Sequence, residues 1–196
     1  MAQPFLDDHA LDAIFRTARS RNGWSSAPVT RADLEAIYDL AKMGPTSANL
    51  SPARFVFIES TEAKQSLAAC VSAANAQKVL SAPVTVIIGM DLKFHDKAPQ
   101  LFPHEPTARH WFKGDAIRET AFRNSSLQGA YFMLAARALG FDCGPMSGFD
   151  KAQVDAAFFA GTDNETNFIC ALGTGTDERL FERLPRLSFD EACRIA

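Results

Sequence analysis

The sequence predicts a single α/β domain in which helices cover buried strands. Two apolar runs, Val84–Ile88 and Asn167–Leu172, indicate the strands, because a strand covered on both faces stays apolar instead of alternating. Two long segments, Ala32–Lys42 and Asp115–Leu139, place their apolar residues at helical spacing. The chain has 196 residues, which is enough for one domain with a sizeable core.

Caps and breakers set the limits of the other elements. Thr30 and Asp33 form a capping box before the second helix, Gly44 and Pro45 stop that helix, and Gly140 ends the longest one. The predicted helices are Ala10–Arg19, Ala32–Lys42, Thr61–Val71, Asp115–Leu139, Lys151–Phe159 and Phe189–Arg194. The predicted strands are Arg54–Glu59, Ala82–Met90, Phe141–Met146 and Asn167–Leu172.

Composition excludes several classes of function. The net charge is -3 without a long block of one sign, so the chain lacks the concentrated basic face that nucleic-acid binding needs. The N-terminus does not resemble a secretory signal, and no run is long and apolar enough to span a membrane. The four cysteines form no Cys-x-x-Cys pair. We therefore expect a cytoplasmic protein with reduced thiols, without a nucleic-acid or membrane partner.

Two regions leave alternatives open. The small, polar stretch Gly44–Pro52 has two interpretations. It is either an ordinary helix–strand connector or a loop whose hydroxyl, amide and backbone groups hydrogen-bond to the edge of a flat polar heterocycle. The long segment Asp91–Gly114 carries three prolines and several aromatic residues, which predicts an ordered flap over a pocket. The spacing of its histidines fits no common metal site, so we expect no metal.

Several motifs together resemble the FMN-dependent nitroreductase family, in chain order and over nearly the whole length. Three of them are closest to the malonic semialdehyde reductase branch, which belongs to bacterial uracil degradation: Gly44–Arg54, Phe122–Ser126 and Arg183–Phe189. The motifs that carry the family resemblance are Arg19–Arg21, Gly44–Asn49, Asn75 with Lys78, Gly144–Asp150 and Arg183–Arg186.

The resemblance implies an α+β fold with a mixed central sheet and helices on both faces. It further implies one nitroreductase-like domain over residues 1–196, with residues 91–114 as its flap, assembled as an intertwined homodimer. Two FMN molecules would lie at the dimer interface, and the long helix Asp115–Leu139 would form the dimer core. From the residues alone, that helix could equally be the central core helix of a monomer.

The resemblance also assigns cofactor-binding roles. The phosphate would be held by Arg19, Ser20, Arg21 and Arg183. The pyrimidine edge of the ring would meet Asn75 and Lys78, and flavin N5 would meet Ser147 and Gly148. The loop from the partner subunit would supply Pro45, Thr46, Ser47 and Asn49. Without the resemblance, these residues read as solvated charges, a surface lysine and plain turns.

Two departures from the family pattern stand out. Asn22 lies near the place where members often carry another basic residue, and Phe181 replaces a basic residue that commonly precedes Arg183. The sequence therefore predicts a remodelled phosphate site.

The implied activity is flavin-dependent oxidation of NADPH or NADH. One pocket would serve donor and acceptor in turn, which predicts ping-pong hydride transfer. The implied acceptor is malonic semialdehyde, reduced to 3-hydroxypropanoate, and its carboxylate would need a cation from Arg54, Arg109 or Arg123. The chemistry would take place on FMN, with Lys78 as electrostatic support. The alternatives are a nitroreductase or quinone reductase with another physiological acceptor, and a non-catalytic FMN-binding dimer.

Overall fold

The computed structural model describes residues 5–196. Its largest sheet has four strands, in the order β2 (Ala53–Ile58), β3 (Val84–Asp91), β5 (Asn164–Gly173) and β4 (Asp142–Met146). Every pairing in this sheet is antiparallel. Within the described residues, parallel pairing is confined to a single bridge between Ser20 and Cys143, at the outer edge of β4.

A second, two-stranded sheet joins distant parts of the chain. It pairs β1 (Gly23–Trp24) with β6 (Gly175–Thr176) in antiparallel orientation. Gly175 pairs with Trp24 in this sheet. The helices are α1 (Asp8–Leu11), α2 (Arg31–Ala41), α3 (Thr61–Ala69), α4 (Ala73–Ser81), α5 (Ala98–Leu101), α6 (Asp115–Ala138), α7 (Lys151–Phe158) and α8 (Phe189–Ala192).

Helices cover both faces of the main sheet. Val84, Val86 and Ile88 of β3 pack in one buried cluster with residues of α2 and α6. Ile87 lies in a second cluster, built with residues of α3, α4 and α7. Successive side chains of β3 thus enter clusters on opposite faces of the sheet. Because helices cover both faces, the strand is apolar throughout. The predicted α+β fold with helices on both faces is confirmed.

Helix α6 approaches the sheet closely because of one small residue. A Cβ atom on Gly129 would lie 2.5 Å from the ring of Phe168, so a larger residue there would push the helix away. The capping box of α2 is also present: Thr30 accepts from the backbone N–H of Asp33, and the Asp33 carboxylate accepts from the backbone of Thr30.

The N-terminal helix differs from its prediction. It begins at Asp8 and passes into a π-helical turn, Asp12–Arg16, instead of continuing to Arg19. Thr17 ends it, since both its backbone N–H and its hydroxyl donate to the carbonyl of Asp12. This early end leaves residues 18–20 extended beside β4, with Ser20 paired to Cys143.

Candidate functional site

A cavity of about 290 Å³ lies where the segment after the N-terminal helix meets the segment after β6. Arg19 and Arg183 join its two walls: the guanidinium of Arg19 donates to the carbonyl of Phe181, and Arg183 Nη2 donates to the carbonyl of Ala18 at 2.9 Å. The polar residues that line it are Arg19, Ser20, Arg137, Glu182, Arg183 and Arg186.

The cavity's arginines have no carboxylate partner among the described residues. Eight of the chain's thirteen arginines form salt bridges elsewhere, namely Arg16, Arg21, Arg31, Arg54, Arg109, Arg118, Arg123 and Arg179. Four of the other five, Arg19, Arg137, Arg183 and Arg186, line this one cavity. Guanidinium groups bind phosphate through paired N–H donors, so the arrangement suits an anionic ligand.

Arg21 does not take part in this cavity. Its side chain points away, pairing with Asp177 at 2.5 Å and with Asp142 at 3.5 Å. Neighbouring side chains alternate in an extended segment, so Arg21 points away from the side that Ser20 occupies. Arg21 thus ties β6 to β4, and the structure does not support its predicted place in the phosphate clamp.

A second group of predicted residues lies together at the end of β4. The side-chain amide of Asn75 donates to the carbonyl of Gly148 at 3.1 Å, and the backbone N–H of Ser72 donates to the same carbonyl at 2.9 Å. A Cβ atom on Gly148 would lie 2.9 Å from the Asn75 amide nitrogen. Glycine is thus required for this close approach, which holds Ser147 and Gly148 beside α4 with their surface exposed.

Lys78 lies one turn beyond Asn75 on α4 and forms no salt bridge within residues 5–196. Its pKa is lowered by partial burial and, to a smaller extent, by the positive charge of Arg179. A half-buried cation without a carboxylate, next to a second cation, suits an anionic or electron-rich ligand edge.

The opening loop, residues 45–51, lies at the other edge of the sheet. The backbone N–H of Ser47 donates to the side chain of Asn124 at 2.8 Å, and Asn49 donates to the carbonyl of Leu101 at 2.9 Å. Ala48, Asn49 and Ser51 have positive φ angles of 48°, 54° and 41°. Left-handed backbone is costly outside glycine, so α6 and the flap hold this loop in an unfavourable shape.

One chain does not bring the loop and the turn after β4 together. The loop leads into β2 and Ser147 follows β4, and these strands are the two outer strands of the sheet. Neighbouring strands lie about 4.8 Å apart, so the two outer strands are roughly 14 Å apart. A ligand that spans less than this distance therefore cannot contact both groups of one chain.

All three arginines predicted to meet a substrate carboxylate are already paired. Arg54 is half-buried, pairs with Asp91 and donates to the carbonyl oxygens of Ser51 and Ala53. Arg109 pairs with Asp96 and Arg123 with Glu119, both at exposed positions. Exposed pairs contribute little stability and can exchange partners, whereas the Arg54 pair is fixed by its surroundings.

The flap is ordered by a small core of its own. Phe94, Ala98 and Ala108 are buried against Leu50 and Ala121. Three short helical segments, Phe94–Lys97, α5 and Pro106–His110, make up much of the flap. Trp111 remains half exposed, and its indole N–H donates to the hydroxyl of Thr107.

Sequence reasoning missed Arg137, Arg186 and Asn124. Arg137 lies in the last turn of α6, where a cation reads as a partner of the helix dipole. Asn124 is buried in α6 and gives no sign in the sequence that it holds the opening loop. Only Arg186 could have been found from the sequence, because it stands three residues after Arg183 in the same motif and in the same exposed segment.

Membrane-spanning helices and metal-binding clusters are both absent from the described residues. No helix among the described residues is long and apolar enough to cross a membrane. A search of the same residues finds no cluster of three or more histidine, cysteine or carboxylate side chains that could hold a metal ion.

Comparison with known proteins identifies the family. The sequence profile of the Nitroreductase family matches residues 16–176. A Stenotrophomonas maltophilia protein named "Putative NADH dehydrogenase/NAD(P)H nitroreductase" is 60% identical over 193 residues, covering 97% of this chain and 98% of that protein.

Two solved structures share the fold. The ydfN protein of Bacillus subtilis has a TM-score of 0.87 at 22% identity, covering 97% of this chain and all of that one. A protein of Exiguobacterium sibiricum, solved in complex with FMN, has a TM-score of 0.85 at 21% identity over the full length of both chains. The match of the profile to most of the chain, with the close relative, shows that this chain belongs to the nitroreductase family.

Proposed function

We propose that the chain is an FMN-dependent oxidoreductase of the nitroreductase type that uses NADPH or NADH as its electron donor. The observation that carries this proposal is the cavity lined by four arginines that have no carboxylate partner within residues 5–196. The family, the relative named for NAD(P)H and the FMN-bound structural neighbour agree with it.

The residues present fit FMN. Arg19, Ser20 and Arg183 would hold the phosphate, since their donors line one cavity. Asn75 and Lys78 would meet the pyrimidine edge of the ring, and the exposed backbone of Ser147 and Gly148 would address N5. When bound, FMN supplies hydride transfer between a nicotinamide and an acceptor. Lys78 would place positive charge where the reduced ring is most electron-rich.

A homodimer would complete the site with the opening loop of the partner subunit, including Pro45, Thr46, Ser47 and Asn49. Exposed apolar residues support this assembly. Phe122, Leu127 and Tyr131 of α6 are all at least 38% exposed, and Leu127 and Tyr131, four residues apart, share one face of the helix. A single chain would rarely leave so much apolar surface uncovered.

The C-terminal segment supports an intertwined dimer. Residues 180–188 lie outside any helix or strand, and Phe181, Leu184 and Leu187 are at least 70% exposed. The outer edge of β2 borders an open groove of about 380 Å³, lined by Leu34, Tyr38 and Phe57 among others. We propose that the C-terminal segment of one chain covers this groove on the other.

For the acceptor, we propose malonic semialdehyde, which NAD(P)H and a proton would reduce to 3-hydroxypropanoate. Support comes from the motifs Gly44–Arg54 and Arg183–Phe189, which resemble that branch of the family. Of the candidate cations for the carboxylate, Arg123 is the best placed, because its neighbour Asn124 holds Ser47 of the opening loop. Its exposed pair with Glu119 could open at little cost.

The second candidate function is reduction of nitroaromatic compounds or quinones, which the name of the relative favours. A flavin absorbance spectrum that bleaches anaerobically on addition of NADPH or NADH would establish the oxidoreductase. A spectrum that does not bleach would instead indicate a non-catalytic FMN-binding dimer. The kcat/KM values for malonic semialdehyde, a nitroaromatic compound and a quinone would then rank the acceptors.

A further inference from the structure

We infer that Arg137, on the long helix α6, binds the phosphate together with Arg19 and Arg183 and makes the cavity selective for FMN over riboflavin. This inference rests on the proposed binding of FMN. It adds a residue from a third part of the chain to a clamp that the sequence motifs place only in residues 19–21 and 183.

The guanidinium of Arg137 is incompletely hydrogen-bonded. Its Nη1 donates to the carbonyl of Ile14 at 3.3 Å, which is long for a bond from a charged donor. Its Nε is buried and has no hydrogen-bond partner in the described structure. The Nη2 group forms no hydrogen bond within residues 5–196, so it is the donor that a ligand oxygen in the cavity would meet.

Helix-dipole balance does not explain this placement. A cation in the last turn of α6 could interact with the dipole from an exposed position, with its head in water. Arg137 instead turns inward and lines the cavity beside Arg19 and Arg183. Its position is therefore explained better by a ligand in the cavity than by the helix itself.

The charges of the cavity match a phosphate monoester. Four arginines face one carboxylate, Glu182, which leaves an excess of positive charge. A phosphate monoester carries about two negative charges and three acceptor oxygens at neutral pH. Riboflavin has the same ring without that group, so the cavity would discriminate the two flavins through the phosphate alone.

The test compares Arg137→Met with Arg137→Lys in full-length, flavin-free protein. Arg194→Met is the matched control, because Arg194 also forms no salt bridge in residues 5–196 but lies outside the cavity. Dissociation constants for FMN and for riboflavin are measured by quenching of flavin fluorescence at fixed ionic strength. Thermal melting of each flavin-free variant reports whether it folds.

We expect Arg137→Met to weaken FMN binding by roughly tenfold to a hundredfold and to leave riboflavin binding within about twofold. Arg137→Lys should recover part of the loss, since it keeps the charge but not the planar fork. Arg194→Met should match the unaltered protein.

Two results would overturn the inference and leave the proposed function standing. One is equal weakening of both flavins by Arg137→Met, which would mean that Arg137 supports the fold. The other is a ratio of FMN affinity to riboflavin affinity that Arg137→Met leaves unchanged, although Arg183→Met lowers that ratio. If the unaltered protein bound neither flavin, the proposed function itself would be wrong.

Discussion

The two halves of the proposed flavin site differ in how far one chain builds them. The half near β4 is assembled within the chain: the arginine-lined cavity, Asn75 and the turn at Gly148 are held by hydrogen bonds between distant segments. The other half, the opening loop, lies at the far edge of the sheet, with three residues in left-handed backbone. In the proposed site, the first half would bind phosphate by itself, whereas the second would contact the flavin only from a partner subunit.

The largest effect should come from removing the clamp. Arg19→Met combined with Arg183→Met removes two charged donors, each worth roughly 1.5–3 kcal/mol, so FMN affinity should fall by about two to four orders of magnitude. Equilibrium dialysis of the flavin-free protein measures it. The matched control is Arg16→Met with Arg31→Met, which removes two arginines from exposed ion pairs. Retained FMN in the clamp variant would show that the cavity is not the phosphate site.

The next effect concerns the dimer. Removing residues 188–196 deletes Phe189 and Ile195, which are exposed in the single chain. Each buried apolar side chain contributes about 1.5–3 kcal/mol, so the dimer should dissociate at least about tenfold more readily. Sedimentation velocity over a range of concentrations measures this, with Asp190→Asn as a control in the same segment. An unchanged dimer would mean that Phe189 and Ile195 do not contribute to the interface.

Lys78→Met tests the half of the site near β4 by electrostatics. It keeps much of the side-chain volume and removes the charge that we place beside the ring. We expect FMN to stay bound, with a lower midpoint potential and a reduction by NADPH slowed by roughly tenfold. Potentiometric titration and stopped-flow absorbance measure the two quantities. Lys97→Met, another lysine without a salt bridge, should leave both unchanged.

The smallest effect should come from relaxing the loop. Ala48 has a φ of 48°, a conformation that costs a non-glycine residue about 1–2 kcal/mol. Ala48→Gly relieves this strain but adds about 0.4–1 kcal/mol of chain entropy in the unfolded state. We therefore expect a slightly higher Tm by calorimetry. Ala36→Gly in α2 is the contrasting control and should lower it. A lower Tm for Ala48→Gly would show that the loop conformation is not strained.

The fold was largely readable from the sequence because its strongest signals are periodic. The apolar runs of β3 and β5 and the capping box at Thr30 all appear where they were expected. The N-terminal helix was wrong beyond Arg16, since the hydroxyl of Thr17 closes a turn that apolar spacing alone does not reveal. The sequence did not indicate β1 and β6, because two-residue strands have no period.

The site was only partly readable. Motifs placed Asn75 and Gly148 in one region, and the structure shows them in contact. The structure does not support the predicted role of Arg21, because its own side chain pairs with Asp142 and Asp177. The sequence gives no sign of these two ion pairs. Arg137 was missed because its neighbours in the cavity are distant in sequence. The flavin-binding roles, the single domain with its flap and the dimer all remain predictions.

Mixed dimers test most directly the claim that two chains share each flavin site. One subunit carries Arg183→Met, and the other carries Ser47→Trp, which places a bulky side chain in the opening loop. The two kinds of subunit bear different affinity tags, so that mixed dimers can be purified and their bound FMN measured by absorbance. Thermal melting confirms that both variants fold.

If each site combines the cavity of one chain with the loop of the other, a mixed dimer has one site with both changes and one with neither. We therefore predict that each parent dimer binds FMN weakly, whereas the mixed dimer binds one FMN with the affinity of the unaltered protein. If each site lay within a single chain, every site of the mixed dimer would carry one change. A mixed dimer that binds FMN as weakly as its parents would contradict the account.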